Sequence, residues 1–132
     1  MYLVNWYLII YFSELQNMEN DSRNKQWVFA ELKNVTNYLT ISSIDDFDQA
    51  VGLSAVDDIA LDFDNYLSAA RPYLELENPI GLKLLNSIDE ELEKVSGAEN
   101  SELWTKHAFL EHEKWSRIRC FANEAVKHFN WA

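Results

Sequence analysis

The chain should fold as one all-α domain, a bundle of five to six helices with a long C-terminal helix. Three observations carry that expectation. The 132 residues include only three glycines and two prolines, too few for the tight corners of a strand-and-turn fold. Apolar residues recur every three or four positions through most of the chain, the spacing of helices with one wet face. The segments between those stretches are short, which sets consecutive helices side by side and antiparallel. The chain is long enough for a real core. With 48% hydrophobic and 14% aromatic residues, it is too apolar for a disordered acidic tail.

The first element, about Tyr2 to Asn17, opens with a nearly continuous apolar run, Tyr2-Leu3-Val4-Asn5-Trp6-Tyr7-Leu8-Ile9-Ile10-Tyr11-Phe12. Its aromatic and β-branched residues suit helix or strand. Asn5, Ser13 and Gln16 near one face, and a length beyond that of a lone strand, favour helix. The run is shorter than the roughly 20 residues of a membrane span. It has neither the basic start nor the small-residue cleavage site of a signal peptide. It therefore reads as a buried core element. The polar stretch Met18 to Asn24 reads as a loop or the frayed start of the next helix.

A second helix is expected from about Lys25 to Leu39, with Val28, Leu32, Val35 and Leu39 inward and Trp27 and Tyr38 beside them. Ser43 caps a short helix from Ile44 to Val51, with Asp46 three residues on and Gly52 as its left-handed stop. Ser54 repeats the device with Asp57. The helix it opens buries Val56, Ile59, Ala60, Phe63, Tyr66 and Leu67, and ends near Ala70, because Pro72 disfavours helical geometry at Arg71. Asn78-Pro79 starts the next helix, with Ile80, Leu84, Leu85, Ile88, Leu92 and Val95 inward and Gly97 after its end. Ser101-Glu102 opens the last and longest helix. It buries Trp104, Ala108, Trp115, Ile118, Ala122, Ala125 and Phe129, flanked by Leu103, Leu110 and Phe121.

Charge is distributed unevenly over these elements. The net charge is −11, and between Asn34 and Ala70 there is no lysine or arginine, yet seven aspartates: Asp45, Asp46, Asp48, Asp57, Asp58, Asp62 and Asp64. Asp45, Asp46, Asp57 and Asp58 sit in first helical turns, where an acid complements the helix dipole by about 0.3–1 kcal/mol. Asp48, Asp62 and Asp64 have no such role, and aspartate is a weak mid-helix residue. Short carboxylates without local counterions suit pairing with Arg and Lys on another protein; an ordinary solvated acidic face is the competing reading. Tyr66, Tyr73, Glu75 and Glu77 extend the candidate surface, with Phe47 and the two tyrosines serving either core or contact.

In general character the chain resembles the small acidic immunity proteins of bacterial toxin systems, of the contact-dependent growth inhibition and colicin types. The shared features are one short domain, strong acidity, abundant Trp and Tyr, and no catalytic motif. The resemblance implies a cytoplasmic antitoxin, monomeric when free, that neutralises one basic toxin domain, a nuclease, by occupying its cationic cleft. The alternative is a helical small-ligand-binding or regulatory interaction module. A third possibility is an adaptor or oligomerisation subunit that uses an exposed part of Tyr2 to Phe12.

Other chemistry is sparse. A pI near 4.5 disfavours direct nucleic-acid binding and adsorption to anionic membranes, so neither is expected. His107 with Glu111, and Glu124 with His128, are spaced to share a helix face, but His-Glu-x-x-His and paired Glu-x-x-His motifs are absent. Surface pairs are expected, no metal and no cofactor, with His107 near the apolar stripe. Cys120 reads as a half-buried structural thiol. Lys114, Arg117 and Arg119 form a basic cluster suited to the acids of a neighbouring helix. Without a Gly-x-Ser-x-Gly turn or a glycine-rich phosphate loop, no enzyme is expected.

Overall fold

Val28, Leu32, Val35 and Leu39 mark the line along which the first helix joins the bundle; each is at most 3% exposed. In the computed structural model, which describes residues 2–51 and 56–132 with side chains from residue 8 onward, that line belongs to one helix, α1, Tyr2–Tyr38. The helix-or-strand question thus resolves as helix. The loop expected at Met18 to Asn24 does not form. That stretch is polar but contains neither glycine nor proline, and Glu19 pairs with Arg23 one turn on at 3.4 Å, a spacing that supports a helix.

The core assignment of the opening apolar run is overturned for Leu8 to Phe12; the side chains before Leu8 lie outside those described. Leu8, Ile9, Ile10, Tyr11 and Phe12 are 40–63% exposed, and no buried side chain precedes Val28 among those described. The run lacks the three-to-four periodicity that turns one face toward a neighbour. What it has is apolar character on every side.

The helix α2, Ile44–Ala50, is capped by Ser43, whose Oγ accepts from the Asp46 N–H at 3.2 Å. The assignments made for Gly52 and Ser54 lie outside the described residues. The next helix, α3, runs through Val56–Glu77 with Pro72 inside it, well past the expected stop at Ala70. Pro72 has no N–H for the Ser68 carbonyl, but both residues are exposed, so water can satisfy that oxygen. Beyond the proline, buried Leu74 anchors the continuation.

Asn78 caps α4, Pro79–Lys94, by accepting from the Gly81 N–H at 2.9 Å. Gly81 is buried because a Cβ there would overlap the Phe129 ring of the last helix. Ile80, expected inside, is exposed, and Leu82 takes its place in the core. Gly97 adopts φ 100°, a left-handed value that favours glycine, and leads into a 3-10 helix, Ala98–Leu103.

The expected single long terminal helix is divided. Thr105 caps a short α5, Lys106–Glu111. His112 is extended, and its Nδ1 accepts from the Lys114 N–H at 3.1 Å to start α6, Glu113–Phe129. The longest helix is therefore α1, with 37 residues against 17 in α6. The division lets three aromatic rings meet: Trp115 lies 5.2 Å from Trp104 and 5.1 Å from Phe109, centre to centre. Trp115 donates its indole N–H to the Leu103 carbonyl and Trp104 donates to Val95, both at 2.7 Å. Those bonds fix the 3-10 segment against α4 and α6. The described residues thus form an all-α bundle with no strand, in which α1 packs on α3 and α6, and α4 packs on α3 and α6.

Candidate protein-binding face

All seven aspartates of the segment without basic residues reach solvent, and the structure separates them into three groups. Asp45, Asp46 and Asp48 belong to α2. Asp48 meets Lys106 of α5 in an ion pair; among the described residues it is the only one of the seven engaged by a Lys or Arg of this chain. Asp58 and Asp62 lie on the open side of α3, and Asp62 is close enough to Tyr66 to disfavour its ionisation.

Asp57 and Asp64 form the third group. They are two turns apart, so they flank Ala60 and Leu61 on one helical line. That line faces α4, where Asp89 and Glu93 stand one turn apart beside Leu92. Together they border a groove of about 430 Å³. Its floor is Ala60, Leu61 and Leu92, and Trp104, Ser96 and Gly97 close one end. Burial, and next the facing Asp64 carboxylate, hold the Asp89 carboxyl above its usual range, while Arg71 pulls the other way. Arg71 itself donates to the Asn86 amide oxygen at 2.6 Å, so it does not neutralise the carboxylates directly.

Sequence reasoning missed Asp89 and Glu93. They stand one turn apart beside Leu92, outside the segment that lacks Lys and Arg, among glutamates and Lys94. Pairing α3 with α4 is what brings the two sets together.

Of the remaining candidates, three meet α1. Tyr66 is half-buried edge-on to Trp27, with ring centres 5.5 Å apart, and desolvation, then Glu31 and Asp62, raise its phenol pKa. The Tyr73 hydroxyl donates to Asp21 of α1 at 2.8 Å, and Glu77 pairs with Lys25 of α1. These three clasp α3 to α1. Glu75 is exposed, and Phe47 is buried.

The chain's cations are largely used internally. Arg117 pairs with Glu91 of α4 at 3.1 Å, as the basic cluster suggested, and Lys94 pairs with the same carboxylate at 2.9 Å. The Lys94 hydrogen bond is the main reason that the Glu91 carboxyl is held below its usual range. Arg119 meets no acid; its guanidinium donates to the carbonyls of Ile41 at 2.9 Å and Phe109 at 2.7 Å.

The other polar candidates also differ from expectation. Cys120 is exposed rather than half-buried. His107 is exposed, not near-core; His112 is a helix cap; His128 meets the Asn78 side chain at 3.0 Å. Among the described residues no group of three or more His, Cys, Asp or Glu is placed to hold a metal, and no helix is long and apolar enough to cross a membrane. Comparison with family models, curated proteins and solved structures finds no match.

Proposed function

We propose that the chain is a binding protein that captures a basic protein partner on the α3–α4 face, as an immunity protein neutralising a nuclease toxin in the cytoplasm. The observation that supports this most is the pairing of Asp64 with Asp89 across a groove with an apolar floor. In the free protein those carboxylates repel. An arginine or lysine from a partner, placed between them, turns the repulsion into attraction. Leu61, Leu92 and Trp104 offer apolar surface for the stem or plane of the incoming side chain. The surrounding acids steer encounter, which raises the association rate most at low salt. A nuclease presents such cations because its cleft must hold phosphates; covering them blocks the substrate.

The test is to seek, immediately upstream of the gene, a secreted protein with a basic C-terminal domain, and to co-express that domain with this chain, scored by growth. The wild-type chain should restore growth. Asp64→Lys with Asp89→Lys should weaken the complex by at least about tenfold, and Asp58→Lys with Asp62→Lys should mainly slow association. If the wild-type chain gives no rescue, the immunity reading fails. If the groove reversal leaves affinity unchanged, the contact lies elsewhere.

A further inference from the structure

We propose that the amino-terminal part of α1 is a lipid-inserting segment whose occupant is a zwitterionic bilayer. This inference rests on a region remote from the α3–α4 groove. Leu8, Ile9, Ile10, Tyr11 and Phe12 are 48, 60, 40, 57 and 63% exposed. Successive helical residues turn by about 100°, so these five side chains point all around the axis. A second helix, from another copy of this chain or from another protein, covers one stripe of spacing three and four. It would leave the opposite side of this run in water. A fluid apolar medium covers every side at once.

Length and flanks agree with that occupant. The apolar run Tyr2 to Phe12 is eleven residues, about 16 Å of helix, and one leaflet of hydrocarbon is roughly half of 30 Å. These eleven residues are therefore long enough to reach into one leaflet, and among the described residues no helix is long and apolar enough to cross a bilayer. Trp6, Tyr7 and Tyr11 are residue types that favour the lipid–water boundary. From Ser13 to Asn24 the helix has only Leu15 and Met18 as apolar residues, and among the described side chains the first buried one is Val28. That polar stretch of twelve residues is about 18 Å long, more than the depth of a headgroup layer. Charge selects the lipid: Glu14, Glu19 and Asp21 lie on that stretch, and the net charge of −11 repels an anionic surface. The expectation of no membrane contact rested on the acidic pI, which argues against an anionic surface and not against a zwitterionic one.

The experiment is flotation of the full chain with phosphatidylcholine vesicles. Wild type should float with the vesicles, and adding phosphatidylserine should reduce the floating fraction. Ile9→Glu with Phe12→Glu should lower that fraction about tenfold or more. The same variant should keep the wild-type melting temperature by circular dichroism, since neither residue touches the core. Three results would overturn the proposal: wild type sedimenting as a monomer, wild type forming a dimer by light scattering without floating, or the double variant floating as well as wild type. Growth rescue by the α3–α4 face is a separate readout, so each idea can fail alone.

Discussion

The two halves of α1 share one helix, and the amino-terminal half is the richer in apolar residues, yet it is the carboxy-terminal half that packs into the bundle. In the carboxy-terminal half, Val28, Leu32, Val35 and Leu39 are spaced by four, three and four residues and are buried under α3 and α6. In the amino-terminal half, Leu8 to Phe12 are consecutive and exposed. The difference teaches that apolar content alone does not make core. A helix joins a neighbour through a stripe, and a run that is apolar on all sides gives a single neighbour only part of what it would need to cover. Three sets of substitutions probe how sharp the boundary between the halves is.

Leu32 and Ile9 give the largest contrast. Leu32 is fully buried, so Leu32→Ala should cost about 2–5 kcal/mol through lost burial and the cavity left behind. Ile9 is 60% exposed, so Ile9→Ala should stay within about 0.5 kcal/mol. Urea denaturation of both variants in the absence of lipid measures the pair. Equal losses would mean that the amino-terminal half is packed, and the comparison would collapse.

Arg119 tests how the buried half is held at its end. Its guanidinium donates to Ile41, just beyond α1, and to Phe109 in the last turn of α5, where helical carbonyls lack partners within the helix. Burial makes its charged form less favourable, and Glu111 offsets this only in part. Arg119→Met keeps the stem and leaves two carbonyls without their donor. The expected loss is about 1–3 kcal/mol, smaller than for Leu32→Ala. Arg119→Lys should recover only part of it, because a single ammonium does not reproduce the fork. A neutral result would show that water replaces the guanidinium there and that the end of α1 is held by its apolar packing and by the Asn37 bond to the Trp131 carbonyl.

Much of this architecture could be read from spacing. The stripes on α1, α3, α4 and α6 follow periodicity, and the Ser43 and Asn78 caps follow local side-chain chemistry; both are short-range signals. The errors arose where a local rule met a long-range contact. Pro72 predicts a stop, but buried Leu74 and the clasp onto α1 hold α3 helical past it. His112 gives no break signal, because the break serves the packing of Trp104, Phe109 and Trp115, which come from separate segments. The acidic segment was visible as composition. The groove was not, because Asp89 and Glu93 reach Asp57 and Asp64 only through the pairing of α3 with α4. The exposure of Leu8 to Phe12 was hidden for the opposite reason: among the described residues nothing buries them, and a sequence does not mark an absent neighbour.

Tyr73 gives the smallest expected effect and locates the boundary most closely. Its hydroxyl donates to Asp21, and Lys25 pairs with Glu77 one turn further along α1; these polar contacts hold α3 just before the first buried residue, Val28. Tyr73→Phe removes the hydroxyl from an exposed bond, so the melting temperature should fall by less than it does for Arg119→Met. The pH dependence identifies the cause. Accepting that hydrogen bond, the Asp21 carboxylate is the main reason that the phenol pKa stands above its ordinary 10.0 in the folded protein. Between the unfolded and folded pKa values the native state therefore holds more protons than the unfolded chain, and stability falls as pH rises through that window. The contribution is fully present below pH 10 and is lost above it. Melting curves taken from pH 8 upward should converge for wild type and Tyr73→Phe as the phenol ionises. If instead the two curves stay parallel, Tyr73 holds α1 through its ring contact with Phe29 rather than through Asp21, and the packed half of the helix begins later than the clasp suggests.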